Sequence, residues 1–357
     1  MATLPNITAP ICQAGLAGYS DRAMRLVARR RGCPYAVTEA LLDTILLAGG
    51  RGLTNSIDIN DEDHPVASQI IGSEPETMSA AARILAQFGY DVIDLNFACP
   101  VKKIKNKARG GHMLRDLPRA FAILRSVRDC LPANIPATVS LRRSFDDSDE
   151  SEDNFYQIAD EAFSLGYAAI RVHARTVEQK YQGSSDWSYL KRIKQHYSNR
   201  IIFGSGDLFT AESAVRMLRE TGIDYTWIAR GAIGNPWIFQ DIRTLLQDRS
   251  SNSSSPSHSS HLLIPPTVQA QRAALAEHFE IAMQIHGEQL AGRRMRKMGI
   301  KYARFHPNAA EVKKDFIQVH SLREWNEVLN RWYATDAPGN WPADNAADEV
   351  NSCESVA

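Results

Sequence analysis

The sequence predicts an α/β protein, a (β/α)8 TIM barrel followed by a small C-terminal helical domain, and three observations carry that prediction. From Ile11 to Phe239 about eight short apolar runs alternate with segments of helical period, the number of βα units that closes a barrel. Glycine-rich turns come at the end of this series, whereas a doubly wound nucleotide-binding sheet carries its glycine turn after the first strand. Beyond the series a serine-rich stretch leads into residues that are apolar at helical spacing only.

Each element follows from its residues. The apolar stretch before Gly15 is the first strand and Ala36-Val37-Thr38 lies in the second. Val66 to Ile71 is the third, followed by a helix from Glu74 to Phe88 with Pro75 suited to its first turn. Asp91 to Leu95, Ala137 to Leu141, Ala168 to Val172, Ile201 to Gly204 and Thr226 to Ala229 supply the remaining strands. The helices between them fall at Pro118 to Arg128, Asn154 to Leu165, Asp186 to His196 and Ala211 to Arg219. The barrel domain is thus assigned to residues 1–245. Residues 246–266, with a serine-dominated core too polar to bury, are expected to be a linker. Residues 267–334 form the helical domain, with Ala273, Leu275 and Phe279 and then Val319, Leu322, Trp325, Val328, Leu329 and Trp332 on its apolar faces. Residues 335–357, with Pro338, Gly339, Pro342 and several acids, are expected to be a disordered tail.

The 357 residues carry 41 Lys+Arg against 41 Asp+Glu. Neutrality argues against a nucleic-acid partner only where charge is evenly spread, and here it is segregated. Lys102, Lys103, Lys105, Lys107 and Arg109 form one basic cluster, and Arg293, Arg294, Arg296, Lys297, Lys301 and Arg304 another. The compensating acids sit elsewhere, as at Asp146 to Asp153. No apolar run approaches the ~18 residues of a membrane span, and Met1 to Ala9 lacks the pattern of a secretory signal. A cytoplasmic chain without membrane contact or an obligate protein partner is expected. The five cysteines have no C-x-x-C spacing and no neighbouring histidines, so neither a disulfide framework nor a metal site is indicated.

Four constellations carry chemistry. Ser205, Gly206 and Asp207 after the seventh strand, with Ala229, Arg230 and Gly231 after the eighth, lie where barrels bind phosphate. Small residues there let backbone N–H groups approach an anion, and Arg230 adds positive potential. Cys99 follows the fourth strand and so stands on the catalytic rim. Its thiol, with a reference pKa of ~8.5, could serve as nucleophile or general acid. A lone cysteine is more often inert, but the strand-end position and the cations that follow favour function. Gln69 and His173, with Arg175, offer strand-end donors suited to a planar heteroaromatic cofactor. The basic helix near Arg293 to Arg304, interleaved with Tyr302 and followed by His306, suits phosphates and stacked bases.

The segments that hold these residues together resemble the tRNA-dihydrouridine synthase family. They are Gln13 to Asp21, Thr38-Glu39, Gln69 to Gly72, Asp94 to Lys103, Arg171 to Thr176, Gly204 to Asp207 and Arg230 to Trp237, in order, resuming at Met295-Arg296-Lys297. The resemblance implies an oxidoreductase with an FMN-bearing barrel and a helical tRNA-binding domain, reducing the C5=C6 bond of uridines in tRNA with NADPH as reductant. Reduced flavin would deliver hydride to uracil C6, and Cys99 matches the proton donor to C5. The target base must be extruded from its helix to reach either group. By the same resemblance Gly15, Leu16, Ala17, Gln69, Ser140, His173, Ser205, Gly206, Asp207, Ala229, Arg230 and Gly231 are cofactor positions. Asn96, Lys102, Lys103, Arg142, Arg175, Arg294, Arg296 and Lys297 fall to the tRNA.

Three positions depart from the family pattern. Ser140 stands where the family has a lysine beside the flavin pyrimidine ring, a cation that stabilises the anionic reduced form. Strand alternation puts Arg142 on the same face, and it is expected to supply part of the missing charge. Gly15 replaces a proline and Ala98 a glycine. These departures also frame the alternative, a tRNA-binding homologue that has lost flavin competence.

Overall fold

The computed structural model describes residues 2–49, 57–100, 109–251 and 263–342. Eight strands, β1 (Ile11–Gln13), β2 (Ala36–Leu42), β3 (Val66–Ile71), β4 (Val92–Phe97), β5 (Ala137–Arg142), β6 (Ala169–His173), β7 (Ile201–Ser205) and β8 (Tyr225–Ile228), close a parallel barrel in sequential order. β8 returns to β1 through the pairs Ile11↔Thr226 and Gln13↔Ile228. Every residue of β3, β4 and β5 is buried, as expected of parallel strands covered on both faces.

Among the described residues the crossovers are α2 (Asp43–Ala48), α3 (Pro75–Gln87), α4 (Leu117–Cys130), α5 (Asp149–Ser164), α6 (Trp187–His196) and α7 (Ala211–Thr221), numbered after α1 (Arg22–Arg29). Local chemistry sets their starts. Asp116, Ser148 and Asp186 each accept a backbone N–H three residues on, satisfying a donor that a helix leaves open. Helix α5 begins at Asp149, five residues before the expected Asn154, because Ser148 caps it and Asp149, Glu150 and Glu152 complement the dipole of its first turn. The acids that balance the basic clusters therefore also build a helix end.

Strand ends differ from expectation at functional positions. β4 runs to Phe97, β5 to Arg142, β6 to His173 and β7 to Ser205, so several candidate residues belong to strands rather than to loops. β8 stops before Ala229, whose φ of −100° and ψ of −102° leave the extended region.

The chain divides into two compact units. The first holds residues 1–17, 34–208 and 213–228, and the second 18–33, 209–212 and 229–357. The assignment of residues 1–245 to the barrel domain is thus corrected: α1 and the segment from Ala229 belong with the C-terminal helices. Those are α8 (Ile238–Ser251), α9 (Val268–His286), α10 (Glu288–Tyr302), α11 (Ala309–Ile317) and α12 (Leu322–Trp332). Polar ties bind α1 to α9, with Arg30 and Arg31 each 2.8 Å from Glu277 and Asp21, the N-cap of α1, 2.9 Å from His286. Phe279, Phe316 and Trp325 form the aromatic centre, with Trp325 4.9 and 5.0 Å from the other two rings.

Two boundary expectations change. Residues 246–251 continue α8 instead of opening the linker, while 252–262 lie outside the described residues. Residues 335–342 are anchored: Val268 N–H donates to Ala337 O at 2.9 Å and Asn340 N–H to Phe305 O at 2.8 Å. The described part of the expected tail is thus held by backbone bonds, and 343–357 lie outside the described residues. Among the described residues no helix is long and apolar enough to cross a membrane.

His278, buried on α9, makes the second unit acid-sensitive. Burial pushes its pKa down to about 4, against the raising influence of Asp21 and Glu277 and with Arg31 adding to the fall. The unfolded chain therefore binds the proton first, so stability is lost as pH falls from the ordinary histidine value of 6.5 toward about 4. The shift corresponds to about 3 kcal/mol. His278→Gln should flatten denaturant midpoints measured across that window; an unchanged pH dependence would remove His278 as its source.

Candidate active site

The interior faces of β3 to β6 bring the sequence-derived candidates into one network. Register pairs Gln69 with Asp94, Asp94 with Thr138, Asn96 with Ser140, Ser140 with Arg171 and Arg142 with His173. Asp94 sits at its centre, fully buried. Its Oδ1 accepts from Thr138 at 2.5 Å and lies 2.9 Å from the Arg171 guanidinium, while Oδ2 accepts from Gln69 and Ser140, each at 2.7 Å. Arg171 is also fully buried; it donates to Tyr35 Oη at 2.7 Å and lies 5.0 to 5.7 Å from the centres of the Phe203, Tyr35 and Trp227 rings. Burial works against its charge, but Asp94 and Tyr35 hold its pKa above the ordinary arginine value.

From Asp94 the network runs to the cysteine. Gln69 Oε1 accepts from Asn96 Nδ2 at 2.7 Å, and Asn96 Oδ1 accepts the N–H groups of Ala98 and Cys99 at 3.0 and 2.9 Å. On the other side Gly111 N–H donates to Cys99 O at 3.0 Å. Gly110, at φ +59°, allows the approach, since a Cβ there would lie 2.9 Å from Cys99 O. Cys99 is half-buried at the C-terminal end of β4, where barrels place reacting groups. Asn96, expected beside a substrate base, uses its oxygen to hold this turn.

Arg142, expected to supply part of the charge missing at Ser140, is buried and held by backbone carbonyls. Its guanidinium donates to the carbonyls of Ala98, Thr176 and Lys180 and lies over the Tyr181 ring, 5.3 Å from its centre. It ties the β4 loop to the β6 loop. Arg175 likewise is buried, and its Nη2 donates to both oxygens of Asp207, at 2.7 and 2.8 Å. Burial opposes the Asp207 charge, but the Ser185 N–H and Arg175 hold its carboxyl below the usual range. His173 lies edge-on to Tyr181, ring centres 6.4 Å apart.

The residues after β7 suit an anionic group. Gly206 (φ +130°) and Asp207 (φ +56°) turn the backbone through conformations that L side chains rarely adopt, and a Cβ on Gly206 would meet Ser185 at 2.6 Å. Arg175 Nε and Nη1, both buried, have no hydrogen-bond partner among the described residues. Ser205 is buried at the end of β7.

Residues 12–337 match the family model described as dihydrouridine synthase. The chain belongs to the dihydrouridine synthase family. This synthase-family chain is 30% identical to the tRNA-dihydrouridine synthase B of Xanthomonas axonopodis pv. citri over 86% of its own length and 88% of that protein's. Against the tRNA-dihydrouridine synthase B of Pseudomonas aeruginosa the identity is 31%, covering 94% and 91%. Among solved structures, a 2-naphthoyl-CoA reductase complexed with 2-naphthoyl-CoA shares the fold with a TM-score of 0.52 at 12% identity, over 67% of this chain and 50% of that one.

The second unit carries the remaining candidates. Ala229 leads into a 3-10 turn, Arg230–Ala232, with the Arg230 guanidinium 4.9 Å from the Phe209 ring. On α10, Arg294 pairs with Asp21 at 3.1 Å and Lys297 lies 5.0 Å over the Tyr19 ring, so both are partly engaged within the unit. Arg296 reaches His320 at 3.5 Å, and Arg293 is exposed. Lys102 and Lys103 lie outside the described residues.

The pair Asp94–Arg171 was not singled out from sequence. The signal was present: an acid and a base each flanked by aliphatic residues in strands that a barrel buries, where an unpaired charge is prohibitively costly.

Gly15 answers one departure. A Cβ there would lie 2.1 Å from Thr38 O, beside the irregularity of β2 between Val37 and Ala40. The position admits neither alanine nor proline without backbone movement. Gly15→Ala should cost about 1–3 kcal/mol in barrel stability by denaturant unfolding; no loss would show that Thr38 moves freely.

Proposed function

We propose that this chain is a tRNA-dihydrouridine synthase that reduces the C5=C6 bond of uridines in tRNA, using FMN with NADPH as reductant, and that Cys99 donates the proton to C5. The observation that carries the reading is the thiol at the end of β4, its backbone fixed by Asn96 in a family member of this length. Bound FMN would supply the hydride to uracil C6.

The chain's own residues do the rest. Gly15, Leu16 and Ala17 follow β1 and, with Gln69, Ser140 and His173, take the ring-side cofactor role; Ser205, Gly206 and Asp207, braced by Arg175, take the phosphate end. The donors of Gln69 are spent on Asp94 and Ser140, so its contribution is to keep the polar wall fixed rather than to reach outward. A protonated thiol held at the end of β4 would add the proton to C5 from a fixed position, the usual advantage of a positioned acid. In the second unit Arg294, Arg296 and Lys297 are the α10 cations expected to meet tRNA phosphates, and exposed Arg293 joins them in this reading.

Purified protein should be yellow, with flavin absorbance that survives Cys99→Ala. That variant should lose about 10²- to 10⁴-fold in turnover on tRNA lacking dihydrouridine. Retained turnover would remove Cys99 as the acid, and a chain that cannot take up FMN would establish the flavin-incompetent alternative. Arg293→Ala should weaken tRNA binding and reduce the slope of log affinity against log salt by about 1; an unaltered slope would exclude a phosphate contact there.

A further inference from the structure

The hydrogen-bond chain from Arg171 to Cys99 has a direction, and the direction comes from its buried end. An ionised carboxylate offers only acceptors, so Asp94 obliges Gln69 to turn its NH2 group inward. Gln69 Oε1 then faces Asn96, which must answer with its own NH2 group. That leaves Asn96 Oδ1 to accept the two N–H groups of Ala98 and Cys99. The backbone donors at the far end require the same orientation, so the two ends agree.

We propose that Asp94 and Arg171 are positioning residues for Cys99: the buried ion pair fixes the Asp94 carboxylate against the Gln69 NH2 group and so locks the Gln69 and Asn96 amides in the one orientation that holds the cysteine turn. The proposal rests on the reading of Cys99 as proton donor. Arg171 is essential to it because its cation, 2.9 Å from Asp94 Oδ1, fixes how the carboxylate sits and leaves Oδ2 toward the Gln69 NH2 group; a neutral side chain there holds nothing. The lock would then be open at its inner end. The pair also gives the serine at position 140 a context. Ser140 donates to the same Asp94 oxygen as Gln69 and brings no charge, while Arg171 is the cation paired with Asp94.

Asp94→Asn is the sharpest test, since it keeps size and replaces one oxygen by an NH2 group. With Arg171 present the remaining oxygen is drawn to the cation, so the new NH2 group faces the NH2 of Gln69. Two donors then oppose each other, and the mismatch must break the chain or travel to the Cys99 turn. With FMN-loaded full-length protein and tRNA lacking dihydrouridine, D94N should lower kcat by about 10- to 100-fold, as small displacements of a reacting group do. Its KM for tRNA should stay within about twofold. Hydrogen exchange in the peptide bearing Ala98 and Cys99 should accelerate while exchange in β7 and β8 does not.

Arg171→Met should reproduce both effects, and Arg171→Lys, which keeps the charge, should restore most of kcat and the slow exchange. Normal exchange at Ala98 and Cys99 together with near-normal kcat in D94N and R171M would overturn the proposal. Should D94N fail to fold, the comparison of R171K with R171M decides by the same two measurements. If Cys99→Ala keeps full turnover, the reading of Cys99 as acid falls, while the exchange measurement still judges the lock on its own.

Discussion

A carboxylate and a guanidinium, both without solvent, meet inside the barrel at 2.9 Å, and the polar wall of the mouth depends on that meeting. Burying two charges costs several kcal/mol per ion before their attraction and hydrogen bonds offset it, and an apolar pair of similar volume often does as well for stability. What an apolar pair cannot do is dictate which end of a neighbouring amide points inward. Asp94 is bonded to Thr138, Gln69 and Ser140 as well as paired with Arg171, so one side chain sets the polarity of three strands. The aromatic rings of Tyr35, Phe203 and Trp227 enclose the Arg171 cation and keep water from competing for it.

Arginines elsewhere repeat one physical theme. A guanidinium has five donors in a fixed plane, and loops at strand ends expose carbonyls that need partners. Arg142 collects three such carbonyls and Arg175 takes a carboxylate and the carbonyl of Gly183. Both therefore shape the rim from within. In the helical unit Arg294 and Lys297 are similarly turned toward the segment that precedes α1, at Asp21 and Tyr19. Cationic sequence thus overstates cationic surface wherever a neighbouring loop offers acceptors.

The barrel itself was legible because its signals are local. Val66–Ile71 coincides with the expected strand, and the helices after it begin within a few residues of their caps and prolines. Errors gathered at strand ends, where hydrophobicity gives out before the hydrogen-bond ladder does: β4 continues through Asn96, buried against Gln69, and β6 through His173, half-buried at the mouth. The anchoring of residues 335–342 was illegible for a related reason. Its bonds are backbone to backbone with partners at Phe305 and Val268, and no side-chain pattern announces them.

By itself, then, the order of apolar runs, turn glycines and capping residues determined eight βα units, a cysteine on the fourth strand end and a separate helical region, since each depends on residues close together in the chain. Tertiary structure decided the partners. That Asp94 meets Arg171, that Arg175 holds Asp207, and that α1 joins the C-terminal helices are matters of which surfaces closure brings within hydrogen-bond range, and that distance is set by the register of the whole barrel and by helix packing rather than by any one segment.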